Sequence, residues 1–363
     1  MDNTKIGNKE AIALLVTITF NHIIINVVKT IINTTASASL LNILFVGIIS
    51  IIFTCIVCYF LNNFPTFDLI DISNFLGGKL LKWIIGILYV AYFIFFTGTM
   101  IHVFSSCLQI IYFPLTKLFY ITLILIIAGL IACNQKYNAI FRSNFIIFPL
   151  LVISILFLFF SNIQFFEFEK VYPIFGKSFF TTFISGISNM FAFQAIAYIF
   201  FMPPVLKEPN KIKKISISAI VLSCIFLLIS IATILFMFNG YVETDELLPL
   251  YSAVKYIEYG SFFQKMDSIF VLVWIISFVS FLGITLKFSS NILKKLTHVQ
   301  NGTFFSYVLA ILLFVISIWP ENYAVSTFLV GTVYKYAFFV LIIGISFLVL
   351  LFALIKKKIV EVV

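Results

Sequence analysis

The chain has 363 residues, 62% of them hydrophobic and 10% charged, with a mean hydropathy of +1.16. Soluble domains are about half apolar and about a quarter charged, so this balance excludes an ordinary soluble domain and makes lipid the expected solvent. The formal charge of +9 is dispersed in short clusters between apolar runs, which excludes a basic face for nucleic acid.

A helix needs about 20 apolar residues to cross a bilayer, so ten spans would leave only short loops and no room for a soluble domain. The first apolar run, Ala11 to Ile32, follows Lys5 and Lys9 and is long enough to span rather than act as a cleavable signal. It carries Asn21, His22, Asn26 and Lys29. His22, Asn26 and Lys29 share a face by i, i+4, i+7 spacing, and Asn21 points about 100° away from His22. Polar groups at mid-membrane need partners inside the bundle or a wet cavity. Hydrogen bonding between helices, without any ligand, accommodates the same residues. Lys29, near the outer end, can snorkel.

The second span is Ser39 to Phe60, with Cys55 and Cys58 one turn apart. No second Cys or His pair completes a zinc site, so these and Cys107, Cys133 and Cys224 are packing residues; no metal and no cofactor is expected. Spans three to five are Trp83 to Leu108, Leu118 to Cys133 and Phe145 to Ser161. The sixth, Phe179 to Met202, is crowded with Thr181, Thr182, Ser185, Gly186, Ser188, Asn189 and Gln194. Pro203, Pro204 and the basic loop Lys207 to Lys214 follow it. Small residues permit close packing. Ser-Gly-Ile-Ser-Asn is equally a stretch where a helix can open and turn its ends toward a solute.

The seventh span is Ile215 to Phe238. The connection Asn239 to Met266 then carries Glu243, Asp245, Glu246 and Glu258. Within it Leu247 to Phe263 has helical spacing, consistent with an interfacial helix or an ordered loop. The last spans are Ser268 to Phe288, Phe304 to Trp319 and Tyr336 to Ile355. With the N-terminus inside, 16 of the 23 Lys and Arg residues fall in inner segments, 6 in outer segments and Lys29 within a span. Both termini are therefore expected to be cytoplasmic. Spans one and six each open a five-span half, about 11–161 and 179–355, although no repeat aligns by eye.

Three stretches carry a family resemblance: Tyr251 to Phe278, YSAVKYIEYGSFFQKMDSIFVLVWIISF; Val171-Tyr-Pro-Ile-Phe-Gly176; and Phe191-Ala-Phe-Gln194 with Pro203, Pro204 and the Lys-rich loop. In these the chain resembles the B-subunit family of spore germinant receptors, the endospore germination permeases of the amino acid–polyamine–organocation superfamily. The resemblance implies an all-α membrane fold of two inverted five-helix repeats, LeuT-like, with a pocket between spans one, three, six and eight. It implies sensing of a small nutrient, commonly an amino acid, in the spore inner membrane, with an A-type subunit and a lipoprotein C-type subunit as partners. The pocket candidates are Asn21, His22 and Asn26; Tyr92 and Thr97; Ser185, Gly186, Ser188, Asn189 and Gln194; and Trp274 and Ser277. An autonomous amino acid permease on the same scaffold is the alternative. A multi-span acyltransferase would need a base with a charged companion, and His22, His102 and His298 have none in the sequence pattern, so no enzyme is expected.

Overall fold

A computed structural model of the chain describes residues 5–238, 248–257, 266–299 and 302–362. Among these residues the backbone is helical, and the β contact recorded is a single parallel bridge between Ile6 and Leu206. Hydrocarbon offers backbone groups no hydrogen bonds, which is why apolar runs of this length close on themselves as helices. Six stretches are long and apolar enough to cross a membrane: Asn8–Asn62, Leu69–Tyr112, Tyr137–Ser161, Pro209–Met237, Asp267–Thr297 and Tyr323–Val360. The first doubles back at Ala36, whose φ is 49°, and makes two rods. Three shorter apolar helices complete a set of ten rods among the described residues.

In chain order the first rod is α1 (Asn8–His22), a π-helical segment (Ile23–Val27) and α2 (Val28–Thr35). The second is α3 (Ser39–Asn62). The third, α4 (Leu69–Tyr112), bends at Gly77 and Gly78; the φ of +67° at Gly78 is one that only glycine adopts readily. The fourth and fifth are α5 (Leu118–Cys133) and α6 (Tyr137–Ser161). The sixth is broken into α7 (Phe179–Phe183), a 3-10 stretch (Ser185–Ala192) and α8 (Ala195–Ile199). Then come α9 (Ile212–Met237), the short α10 (Pro249–Lys255), α11 (Met266–Thr297) and α12 (Gly302–Ile318). The tenth rod joins α13 (Tyr323–Phe328), α14 (Tyr334–Ala337) and α15 (Ser346–Val362) through two π-helical segments.

The packing is self-echoing. The second rod lies along the seventh, and the third crosses the eighth. The ninth packs on the third as the fourth packs on the eighth, and the first packs on the seventh as the sixth packs on the second.

The first rod stays helical and widens by a π-turn just after His22. Several expectations require correction. The sixth is not one helix: its α-turns stop at Phe183, Ser-Gly-Ile-Ser-Asn opens the 3-10 stretch that follows, and the backbone leaves helical dihedrals at Phe193 (ψ 60°). Burial of Phe193 and its approach to Gly47 on α3 anchor the chain at that point. The third rod starts 14 residues before Trp83, because Asp68 caps Ile70 and Asp71 and launches an amphipathic turn ahead of the apolar run. Of Leu247 to Phe263, Pro249–Lys255 is helical, and residues 258–265 lie outside the described residues, as do Glu243, Asp245 and Glu246.

The rod ends sort into two groups. At one end Lys295 meets Asp68 and Asp71, Lys287 donates to the Cys133 and Gln135 carbonyls, Lys357 to Asn63 and Arg142 faces Glu10. At the other, Lys177 donates to the Asn33 carbonyl, Ser37 to Pro173, Lys170 to Met237, and Tyr112 and Tyr251 both donate to Asp267. Every member of the first group comes from a segment expected inside, and every basic member of the second from one expected outside.

Candidate functional site

Where the end of α1 faces the break of the sixth rod, polar side chains gather inside the bundle. His22 is 1% exposed, and neither ring nitrogen makes a hydrogen bond. The Ala192 backbone comes near the ring without hydrogen-bond geometry. The imidazole is boxed edge-on by Phe191, with centroids 4.7 Å apart, and by Phe96, at 5.5 Å. Phe96 lies parallel to Tyr92, and the Tyr92 hydroxyl donates to Gln194 Oε1 at 3.1 Å. Gln194 Nε2 is buried with no partner. Thr19, one turn before His22 on the same face, also has an unpartnered buried hydroxyl. Thr19, His22 and Gln194 thus each carry a buried polar atom without a protein partner, a state that native interiors keep rare.

Two further polar groupings hold the rods around this centre. Asn21 points away from His22, as the 100° offset requires, and donates to Ser277 Oγ at 2.8 Å on α11. Asn189 donates to Asn42 Oδ1 at 2.8 Å, and Asn42 donates to the Thr182 carbonyl at 2.7 Å. Thr34 joins Asn189 from the first rod. Gly186 lets α3 come close: a Cβ there would stand 2.2 Å from Asn42 Nδ2.

The sequence candidates therefore separate. His22, Gln194 and Tyr92 converge on the centre. Asn21 and Ser277 pair with each other. Asn189 and Gly186 meet the second rod rather than Asn21 or His22. Ser185 is exposed and Ser188 half-buried. Asn26 is buried in the π-turn; Thr97 and Trp274 are buried with their hydroxyl and indole N–H unpartnered. Thr19, Asn42 and Phe96 are not among the sequence candidates, and Phe191 enters there only within the Phe191-Ala-Phe-Gln194 stretch. Thr19 and Asn42 could have been, as polar residues in apolar runs; two phenylalanines among 47 carry no such signal. Among the described residues no cluster of His, Cys, Asp or Glu could hold a metal.

At the end that holds Lys295, a cleft of about 400 Å³ is lined by Asp68, Tyr137, Phe201, Asn291, Lys294 and His298 among others. Burial holds the Asp68 carboxyl above the usual range, at about 6, against the opposing pull of Lys295. A larger recess, about 650 Å³, is walled by Ile87, Ile94, Leu309, Leu312 and Trp319, side chains suited to contact with hydrocarbon.

Residues 5–326 match the family model described as Spore germination protein. Spore germination protein B2 of Bacillus subtilis (strain 168) is 22% identical over 323 residues, covering 88% of this chain and 87% of that protein. Spore germination protein YndE of the same organism is 20% identical, covering 78% of each. Among solved structures, Mhp1, a nucleobase-cation-symport-1 family transporter, closed with bromovinylhydantoin bound, superposes with a TM-score of 0.70 at 14% identity, covering 95% of this chain and 78% of that one. The inward-facing conformation of Mhp1 scores 0.60, over 93% and 77%. A manganese transporter of Eremococcus coleocola scores 0.57 at 15% identity, over 95% and 76%. At these identities the structural likeness is one of fold. The family match spans nearly the whole chain, and with its apolar rods this chain is a multi-pass membrane protein that belongs to the spore germination protein family.

Proposed function

We propose that this chain is the solute-binding membrane subunit of a spore germinant receptor, taking a small nutrient at mid-membrane between its first, third and sixth rods. The observation that carries the reading is the trio of His22, Gln194 and Thr19, buried polar side chains with unpartnered atoms at the end of α1 and the helix break of the sixth rod. Buried polar groups without partners are costly and are kept where a ligand uses them. The reading includes ten spans in two inverted repeats, about 11–161 and 179–355, with both ends cytoplasmic; the reciprocal rod packing and the sorting of lysines between the two ends support it. It also includes residence in the spore inner membrane and partnership with an A-type and a lipoprotein C-type subunit, on the ground of family membership. Binding of the nutrient shifts the bundle between two states, and the partners read the shift.

A second reading, an autonomous transporter, is favoured by the fold itself, since the superposed structures are transporters. Reconstitution in liposomes separates the two. A receptor subunit gains thermal stability from its nutrient and accumulates none; net uptake by the isolated chain would establish the transporter instead.

A further inference from the structure

We propose that the solute taken at the centre is an uncharged, planar ring compound with both donors and acceptors on its edge, a nucleobase-like lactam rather than a zwitterionic amino acid. This rests on the central cluster being the binding site.

The argument begins with charge. A zwitterion taken out of water needs opposite charges or the free backbone groups of opened helices around it. The rings that meet His22 are Phe96 and Phe191, and those behind them are Tyr92, Tyr334 and Phe338; all are uncharged. The nearest charge on the first rod, Lys29, sits two turns further along. The backbone of the first rod stays helical through its π-turn. At the break of the sixth, the Phe193, Ile196 and Ala197 amides already donate to Met190, Phe193 and Gln194. The carboxylate and ammonium of an amino acid would each lose their water with no charged side chain among these rings to replace it.

The chemistry that is present suits a flat neutral ring. Phe96, Phe191 and Tyr92 supply aromatic surface for stacking or edge contact. A neutral imidazole presents one donor and one acceptor, a carboxamide nitrogen two donors, and a threonine hydroxyl either role. His22, Gln194 and Thr19 leave these unused within the protein. A lactam N–H beside a carbonyl, repeated around a ring, answers such an edge in one plane.

The test is differential scanning fluorimetry and calorimetry on the purified full chain with uracil, hypoxanthine, L-alanine and L-leucine as probes. Wild type, His22→Phe, Gln194→Leu and the milder Tyr92→Phe are compared, and each variant's unliganded melting and elution report its folding. The expected result is binding of at least one base, weakened tenfold or more in His22→Phe and Gln194→Leu and less in Tyr92→Phe, with neither amino acid binding. Binding of L-alanine or L-leucine that needs His22 and Gln194 would overturn the ligand class while leaving the central site standing. Binding of any probe that ignores all three substitutions would overturn both. If none of the four probes binds folded wild type, the nucleobase-like assignment falls. Should the larger substitutions fail to fold, Tyr92→Phe alone decides: unchanged base affinity counts against the proposal.

Discussion

Asn189 donates its amide to Asn42 Oδ1, while the Asn42 amide donates onward to the Thr182 carbonyl, and that chain defines what each contributes. Replacing Asn189 with Leu leaves Asn42 Oδ1 buried without its donor, at a cost of about 1–3 kcal/mol. The double change Asn42→Leu with Asn189→Leu removes both partners, so the loss in melting temperature is expected to be less than the sum of the single losses. An additive result would mean that the two amides act independently. His22 behaves in the opposite way: it has no hydrogen-bond partner to strand, so His22→Phe is expected to lower the unliganded melting temperature little or not at all. The polar residues of spans one and six were legible in sequence because each stands against an apolar background. Their pairing was not, because spacing along one helix says nothing about which neighbour the side chain meets. Asn189 finds Asn42 because Gly186 lets the second rod approach, and that packing is a three-dimensional fact.

At the scale of elements, the sixth rod and the start of the third are where hydropathy misled. Averaging over Phe179 to Met202 conceals a break held by the packing of Phe193, and averaging over Leu69 to Lys82 conceals an amphipathic turn. That turn brings Asp68 and Asp71 to Lys295, with distances of 2.6 and 2.5 Å. Lys295 offsets two carboxylates, of which Asp68 is nearly fully buried, so Lys295→Met is expected to lower the melting temperature more than Asp68→Asn does. Equal losses would show that the pair shares its energy evenly. Burial raises the Asp68 pKa to about 6, so between the usual carboxylate range and that value the folded chain holds a proton that the unfolded chain lacks. The stability from this group is complete below the unfolded value and is lost as pH rises through about 6. Wild type should therefore gain on Asp68→Asn when melting is measured at pH 5.5 instead of 7.5, and a constant gap would contradict the assignment.

For the whole molecule, the balance of lysines read from sequence agrees with the grouping of rod ends, because both follow from a chain that reverses direction at each short loop. Single cysteines at Lys136 or Lys207, in a chain whose own five are replaced, are expected to react with an impermeant maleimide only after the membrane is opened. One at Lys117 should react in intact vesicles of native orientation. Reaction of all three from one side would refute the topology. The family and the all-helical membrane fold were within reach of the sequence; the packing around the histidine was not, since a bundle this rich in phenylalanine gives no hint of which rings surround it. What the functional reading needs is that the space beside His22, Gln194 and Phe96 receives the solute. The most direct measurement is a cryo-electron microscopy structure of the protein saturated with the compound that most raises its melting temperature. The expected result is density for that compound between the first and sixth rods, with His22 and Gln194 both in hydrogen-bonding contact. Density confined to the cleft beside Lys295 or to the outer end near Asp267, with the His22 box still packed shut, would contradict the account.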